Sequence, residues 1–279
     1  MSHPYRYFHF LSLDIVLGAM ATSVMAARLF ESKPGWAWWV SLAMTVWVLY
    51  TGDHLLDAWK HRKSSQREMH NFIFRKKGIL IYALGVVTVA DLIVAFNFLE
   101  PAILRVALLM VGAVFLFYAM RHIFKRNKLF FIPGELLVLI IYLAGTWMGP
   151  FISRTLPADP GQILVLAMMA GVLLLNLGVI SLYDVKIDSR LGISTLAGTL
   201  GKKSTRNMMI ATAMVVFLMA VLQFMVYGAE RTSKFALILV GMAGLLLWVL
   251  LTPSLFRKQE AYRLVADALL GMGLLSLLI

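Results

Sequence analysis

Tyr183-Asp184-Val185-Lys186-Ile187-Asp188-Ser189-Arg190-Leu191-Gly192-Ile193-Ser194-Thr195-Leu196-Ala197-Gly198-Thr199-Leu200-Gly201 closes a long apolar run that begins near residue 162. Asp184 and Asp188 lie four residues apart. On a helix that spacing stacks them on one face, where two like charges repel by a few tenths of a kcal/mol. The pair therefore calls for a cation beside it. Mg²⁺ suits the pattern, because it is commonly held by one or two carboxylates together with the phosphates of a substrate. The chain is expected to turn at Gly192. Lys202, Lys203 and Arg206 follow, cations able to meet the same phosphates. The plainer alternative is a solvated loop.

Working outward, the composition fixes the solvent of this stretch. Of 279 residues, 61% are hydrophobic and 14% charged, and the mean hydropathy is +0.82. A soluble domain is nearer half apolar and a quarter charged. Near-continuous apolar runs fall at about 8–27, 36–56, 78–98, 101–120, 131–151, 162–183, 207–228, 235–252 and 264–279. Each is long enough for a membrane helix and none alternates as a barrel strand does. The fold class read from the sequence is an all-α integral membrane protein with about nine transmembrane helices in a single polytopic domain, residues 1–279. The first run contains Asp14 and is read as a span rather than a leader. The sequence has no cysteine, which excludes disulfides and thiol catalysis.

Nine spans put the amino terminus on the same side as the loops after spans 2, 4, 6 and 8. That side carries Arg6, seven Lys or Arg from Lys60 to Lys77, four from Arg121 to Lys128, five from Lys186 to Arg206, and Arg257, Lys258 and Arg263. The other side has only Arg28, Lys33, Arg105, Arg154, Arg231 and Lys234. This asymmetry orients the amino terminus and the Asp184 pair toward the cytoplasm, in the plasma (inner) membrane. It also accounts for the net charge of +12 without a nucleic-acid partner.

Span 2 ends in Leu49-Tyr50-Thr51-Gly52-Asp53-His54-Leu55-Leu56-Asp57, a second i, i+4 pair, and His61 continues its face. Two such pairs at corresponding span ends suggest two related halves, spans 1–4 and 5–8. Three further carboxylates, Asp14, Asp91 and Glu135, fall within or at the edge of spans and are candidates for a cavity lining, with a place at the interface after Pro133-Gly134 fitting Glu135 equally well. Arg263 and Asp267, four apart, are expected to pair with each other. Trp36, Trp38 and Trp39 read as an interfacial aromatic belt.

The Asp184–Gly201 stretch, Asp-x-x-x-Asp-x-x-x-Gly followed by Ser-Thr-Leu-Ala and Leu-Gly, resembles the second aspartate motif of the UbiA superfamily of intramembrane prenyltransferases. The resemblance implies a UbiA-like bundle around a central cavity open to the cytoplasmic side. It also implies Mg²⁺ as cofactor, an isoprenyl diphosphate donor, and an apolar acceptor such as a quinone precursor, tetrapyrrole or polyene, all met from membrane lipid. Carried over, Asp53, Asp57, Asp184 and Asp188 are the metal-holding catalytic residues. Arg62, Arg67, Tyr118, Arg121, Asn176 and Lys202 are the expected substrate-binding residues. The first motif departs from the family pattern, since Leu49 stands at the Asn position; in another register Asp53 takes that position, with Asp57 and His61 on the aspartates. Ile180 stands four before Asp184, and Asn176 lies eight before it on the same face. Two other functions fit: a non-catalytic member of the fold that binds lipid or assembles a partner, and a secondary transporter using Asp14, Asp91 and Glu135.

Overall fold

The computed structural model describes residues 3–60, 68–123, 134–191, 194–228, 230–257 and 261–279. Its twelve α-helices are α1 (His3–Phe10), α2 (Leu13–Leu29), α3 (Trp36–Lys60), α4 (Glu68–Phe98), α5 (Pro101–Ile123) and α6 (Gly134–Ile152), then α7 (Pro160–Leu191), α8 (Leu196–Leu200), α9 (Lys202–Leu222), α10 (Glu230–Leu251), α11 (Pro253–Phe256) and α12 (Ala261–Leu270). A π-turn, Gln223–Tyr227, prolongs α9, and a 3-10 segment, Gly271–Leu278, prolongs α12. There is no strand among the described residues. Each apolar run read from the sequence carries one of these helices.

Six stretches among the described residues are long and apolar enough to cross a membrane: Phe72–Phe98, Gly134–Ile152, Pro160–Ser189, Lys202–Tyr227, Arg231–Leu251 and Ala261–Leu278. Pro101–Leu116 is a shorter apolar helix. The chain is an integral membrane protein. With no water in the bilayer core, backbone groups must be satisfied within each segment, which a helix achieves alone.

The core is built around α7. Val165, Met168, Val172, Leu175 and Val179 are all fully buried, at alternating spacings of three and four that line one helix face. On another face α7 is nearly bare at Gly171 and Gly178, two turns apart. A Cβ at Gly178 would fall 2.0 Å from Met209 Sδ, and one at Gly171 would fall 2.7 Å from Val216 Cγ2. The two glycines thus let α9 seat its side chains directly on the α7 backbone, as small residues do between membrane helices. Buried Ala19, Ala21, Thr22, Ser23 and Ala26 give α2 a similar small-residue surface. The 3-10 segment lies against it, with Gly273 so close that a Cβ would meet the Ala21 carbonyl oxygen at 2.6 Å.

Helices α4 and α5 present large apolar side chains outward, Tyr82 and Phe115 among them. This is the composition expected of a surface solvated by acyl chains. Between α3 and α4, Asp91 accepts hydrogen bonds from Ser41 Oγ at 2.6 Å and Thr45 Oγ1 at 2.5 Å. Those hydroxyls satisfy a carboxylate that hydrocarbon would not. Of the three tryptophans read as a belt, Trp36 is exposed and lies tilted against Phe98, with ring centroids 5.1 Å apart. Trp38 is buried over Gly149 and donates to Ser23 Oγ at 3.1 Å.

Candidate functional site

A cavity of about 220 Å³ opens among α1, α3, α6, α7 and α12. Its polar lining is His9, Asp53, His54, Asn176, Arg263 and Asp267, with Tyr50 and Tyr142 beside them. Leu139, Leu173, Leu177 and Leu270 give it an apolar wall. Helix periodicity explains the convergence. Tyr50 and Asp53, three apart on α3, share a face; so do Leu173, Asn176, Leu177 and Ile180 on α7 and Arg263, Asp267 and Leu270 on α12. Several ionisable groups from separate helices therefore meet at one cavity.

The expected site residues fall into three groups. Asp53 and Asn176 line the cavity together, and Asn176 Nδ2 donates to the Ala266 carbonyl at 2.7 Å, tying α7 to α12. The Asp184 pair lies apart from the lining. Asp184 is 2% exposed; its Oδ1 accepts the Tyr262 hydroxyl at 2.5 Å and its Oδ2 meets the Arg263 guanidinium. Asp188, one turn on, is half-buried, and Lys202 is exposed at the start of α9. Arg62, Arg67 and His61, and the turn expected at Gly192, lie outside the described residues; the same is true of the side chains of Asp57, Tyr118 and Arg121, whose backbones belong to α3 and α5.

Arg263, expected to pair with Asp267 one turn along α12, forms an ion pair with Asp184 on α7. Tyr262 fixes this arrangement. Its ring stacks on Tyr183 with centroids 4.3 Å apart and planes 12° from parallel, and its hydroxyl oxygen accepts from Arg263 Nε at 3.3 Å. Tyr183 is in turn anchored to the Val249 carbonyl at 2.8 Å. Neither Tyr262 nor Arg263 stands out on its own helix; the signal available was an arginine at the start of an apolar run, a residue such a run keeps only with a partner.

Asp267 keeps different company. Its carboxylate, that of Asp14 and the ring of His9 bring their ligand atoms within 4.8 Å of one another. His9 Nδ1 and Asp14 Oδ2 are 2.5 Å apart. His9 sits on the short helix α1, ahead of the apolar helix α2 that carries the first span, and the hydrogen bond to Asp14 raises its pKa above the usual imidazole value, against the lowering effect of burial. Ser12, in the left-handed region between α1 and α2, is 3.1 Å from His54 Nδ1. Asp14, Asp91 and Glu135 therefore have three separate settings, and none lines the cavity. Glu135 accepts the Leu196 N–H at 2.8 Å, Ser181 Oγ accepts that of Ala197 at 3.0 Å, and Thr195 Oγ1 accepts that of Gly198 at 3.2 Å. The Ser-Thr-Leu-Ala stretch is thus a one-turn helix capped by three side chains.

No family model and no curated protein matches this sequence. Among solved structures, the apo structure of a UbiA homolog from Aeropyrum pernix K1 superposes with a TM-score of 0.60, covering 95% of this chain and 98% of that one. The chain has the UbiA fold. Identity to the archaeal protein is 15%, so the likeness speaks to backbone architecture. The UbiA-like helical bundle expected from the Asp184–Gly201 motif agrees with it.

Proposed function

We propose that this chain binds an isoprenyl diphosphate in its cavity and transfers the prenyl group to an apolar acceptor within the membrane. The observation that carries this reading is the cavity itself: Asp53, Asn176 and Arg263 gather at an apolar wall inside a UbiA fold. Such a lining suits a ligand that is polyanionic at one end and hydrocarbon at the other. The hydrocarbon end partitions from water at about 0.8 kcal/mol per CH₂. In this reading the amino terminus and the diphosphate end face the cytoplasm.

The two aspartate pairs fit a divalent cation unequally. Asp53 is exposed and lines the cavity, and Asp57 follows one turn later on the same helix. In this reading Asp53, with Asp57 four positions on in the sequence, would hold one Mg²⁺. Asp184 is not suited to one, because both its oxygens already hold cationic or hydroxyl partners in a nearly solvent-free position. When bound, Mg²⁺ would neutralise diphosphate charge and make it a better leaving group. The protein's own share is positional. Arg263 opposes phosphate charge, the leucine wall excludes water from the allylic carbon, and the faces of Tyr50 and Tyr142 favour positive charge developing there. The carbon–oxygen bond breaks with its electron pair leaving on diphosphate. The acceptor carbon then bonds to the allylic carbon, and its proton passes to the released diphosphate.

The test is geranylgeranyl diphosphate binding to purified protein with and without Mg²⁺, beside Asp53→Ala, followed by an acceptor screen. Mg²⁺-enhanced binding that Asp53→Ala weakens tenfold or more supports the reading. Equal weak binding in every sample would refute it. The occupied Asp184 favours one other reading, a non-catalytic lipid-binding member of the fold; binding without release of diphosphate across the acceptor screen would select it.

A further inference from the structure

We infer that Arg263 takes the place of a metal ion at the second aspartate pair, and that its guanidinium is a diphosphate-binding group of the cavity. This rests on the diphosphate reading above. It departs from that reading's simplest form, in which both aspartate pairs hold Mg²⁺.

The geometry at Asp184 carries the inference. The Asp184 side chain is 3% exposed and that of Arg263 is 27% exposed. The pair is thus buried on its acidic side and open on its basic side, and the basic side lines the cavity. Mg²⁺ demands near-octahedral oxygen ligands at about 2.0–2.1 Å and gives up its waters reluctantly. To reach Asp184 it would have to displace the Tyr262 hydroxyl and the guanidinium together, and carry its remaining waters into a position with almost no solvent access. It would also come to rest against Arg263, like charge on like charge, in a medium where such repulsion is strong.

Arg263 has the opposite situation. Asp184 and Tyr262 hold two of its edges, and Tyr262 is fixed by the stack on Tyr183 and the bond from Tyr183 to Val249. The guanidinium is therefore oriented before any ligand arrives. A planar fork held in this way suits phosphate oxygens better than a flexible ammonium does. Charge balance points the same way. The ionisable groups lining the cavity are Asp53 and Asp267 on the negative side and Arg263, with His9 and His54, on the positive side. Of these basic groups only arginine is charged at every working pH. Among the described lining residues, Arg263 is the permanent cation that a diphosphate entering beside Asp53 would meet.

The experiment uses the full-length chain in detergent, with geranylgeranyl diphosphate as ligand and Mn²⁺ as the countable ion, read by electron paramagnetic resonance. The expected result has three parts. In the presence of the diphosphate, wild type holds one Mn²⁺ per chain, which Asp53→Asn removes and Asp184→Asn retains. In EDTA, wild type keeps measurable diphosphate affinity, and Arg263→Gln lowers it at least tenfold. Arg263→Lys restores part of that loss. Because Arg263→Gln takes the guanidinium away from a buried carboxylate, the double variant Asp184→Asn/Arg263→Gln guards against misfolding and should lose the same metal-free affinity. Two Mn²⁺ per chain, one of them lost in Asp184→Asn, would overturn the inference. So would metal-free binding that Arg263→Gln leaves unchanged. If wild type binds the diphosphate under no metal condition, the proposed function falls, and this assignment with it.

Discussion

The ion pair between α7 and α12 makes a prediction about stability that is independent of any ligand. Arg263→Gln leaves the Asp184 carboxylate 3% exposed and without its cation. Removing one partner of a buried pair costs about 3–5 kcal/mol, since the remaining charge is left uncompensated in low dielectric. The Tyr262 hydroxyl remains to accept part of the burden, worth about 1.5–3 kcal/mol as a hydrogen bond to a charged group. Because that bond is present before and after the substitution, it keeps the expected loss at the low end of the range, about 3 kcal/mol. Asp184→Asn should cost less, about 1–2 kcal/mol, because the Arg263 side chain is 27% exposed and can turn its charge to the cavity. In the double variant no charge is stranded, and the loss should be smaller than the sum of the single losses by about 2 kcal/mol. The assay is reversible unfolding in mixed dodecylmaltoside–SDS micelles, followed by far-UV circular dichroism. Equal single losses, or a double variant that simply adds them, would refute the claim that burial on the Asp184 side governs the pair.

Three other perturbations are diagnostic. Glu135→Ala removes the carboxylate that accepts the Leu196 N–H; it should cost about 1–2 kcal/mol in the same assay, whereas Glu135→Gln, which keeps an acceptor oxygen, should cost less. Gly273→Ala places a methyl 2.6 Å from a backbone oxygen of α2 that cannot swing aside and should destabilise by about 1–3 kcal/mol; Gly85→Ala, with nothing within 4 Å of its Cβ position, should leave stability unchanged or slightly raised, and equal losses at both glycines would contradict the packing described for α2. The pKa of His9 is raised by its bond to Asp14, so its contribution should be fully present below the unfolded imidazole value of about 6.5 and fade as pH rises through the higher folded value. Unfolding scans from acid to alkaline pH should show that fall in wild type and a flatter profile in His9→Gln.

What the sequence made legible was whatever one helix can encode about itself. Continuous apolar runs of span length have no other membrane solution than helices, and each run does carry one. The convergence of Asp53 and Asn176 was legible for a similar reason, because each position follows from its spacing along its own helix. Trp38 was not. Three tryptophans at one end of a span look alike as a belt, but Trp36 and Trp38 are about 200° apart around the axis, so one points out to lipid and the other in over Gly149. Glu135 was read as a cavity or interface carboxylate because the short helix it caps lies about sixty positions later in the chain.

Asp53 and Asp184 carry the comparison furthest. Both open an i, i+4 pair near the end of an apolar helix, and along their own helices the two patterns are equivalent. They diverge because of what approaches from α12. That helix brings Tyr262 and Arg263 onto Asp184 in a nearly solvent-free position, whereas Asp53 is exposed on the cavity lining. Spacing on one helix fixes the face on which two carboxylates lie, and it leaves open whether water, a metal ion or a guanidinium meets them there. The sequence feature that distinguishes the two pairs is therefore found about eighty residues downstream, in a tyrosine–arginine step at the head of the last apolar run, where an unpaired arginine would be too costly to keep.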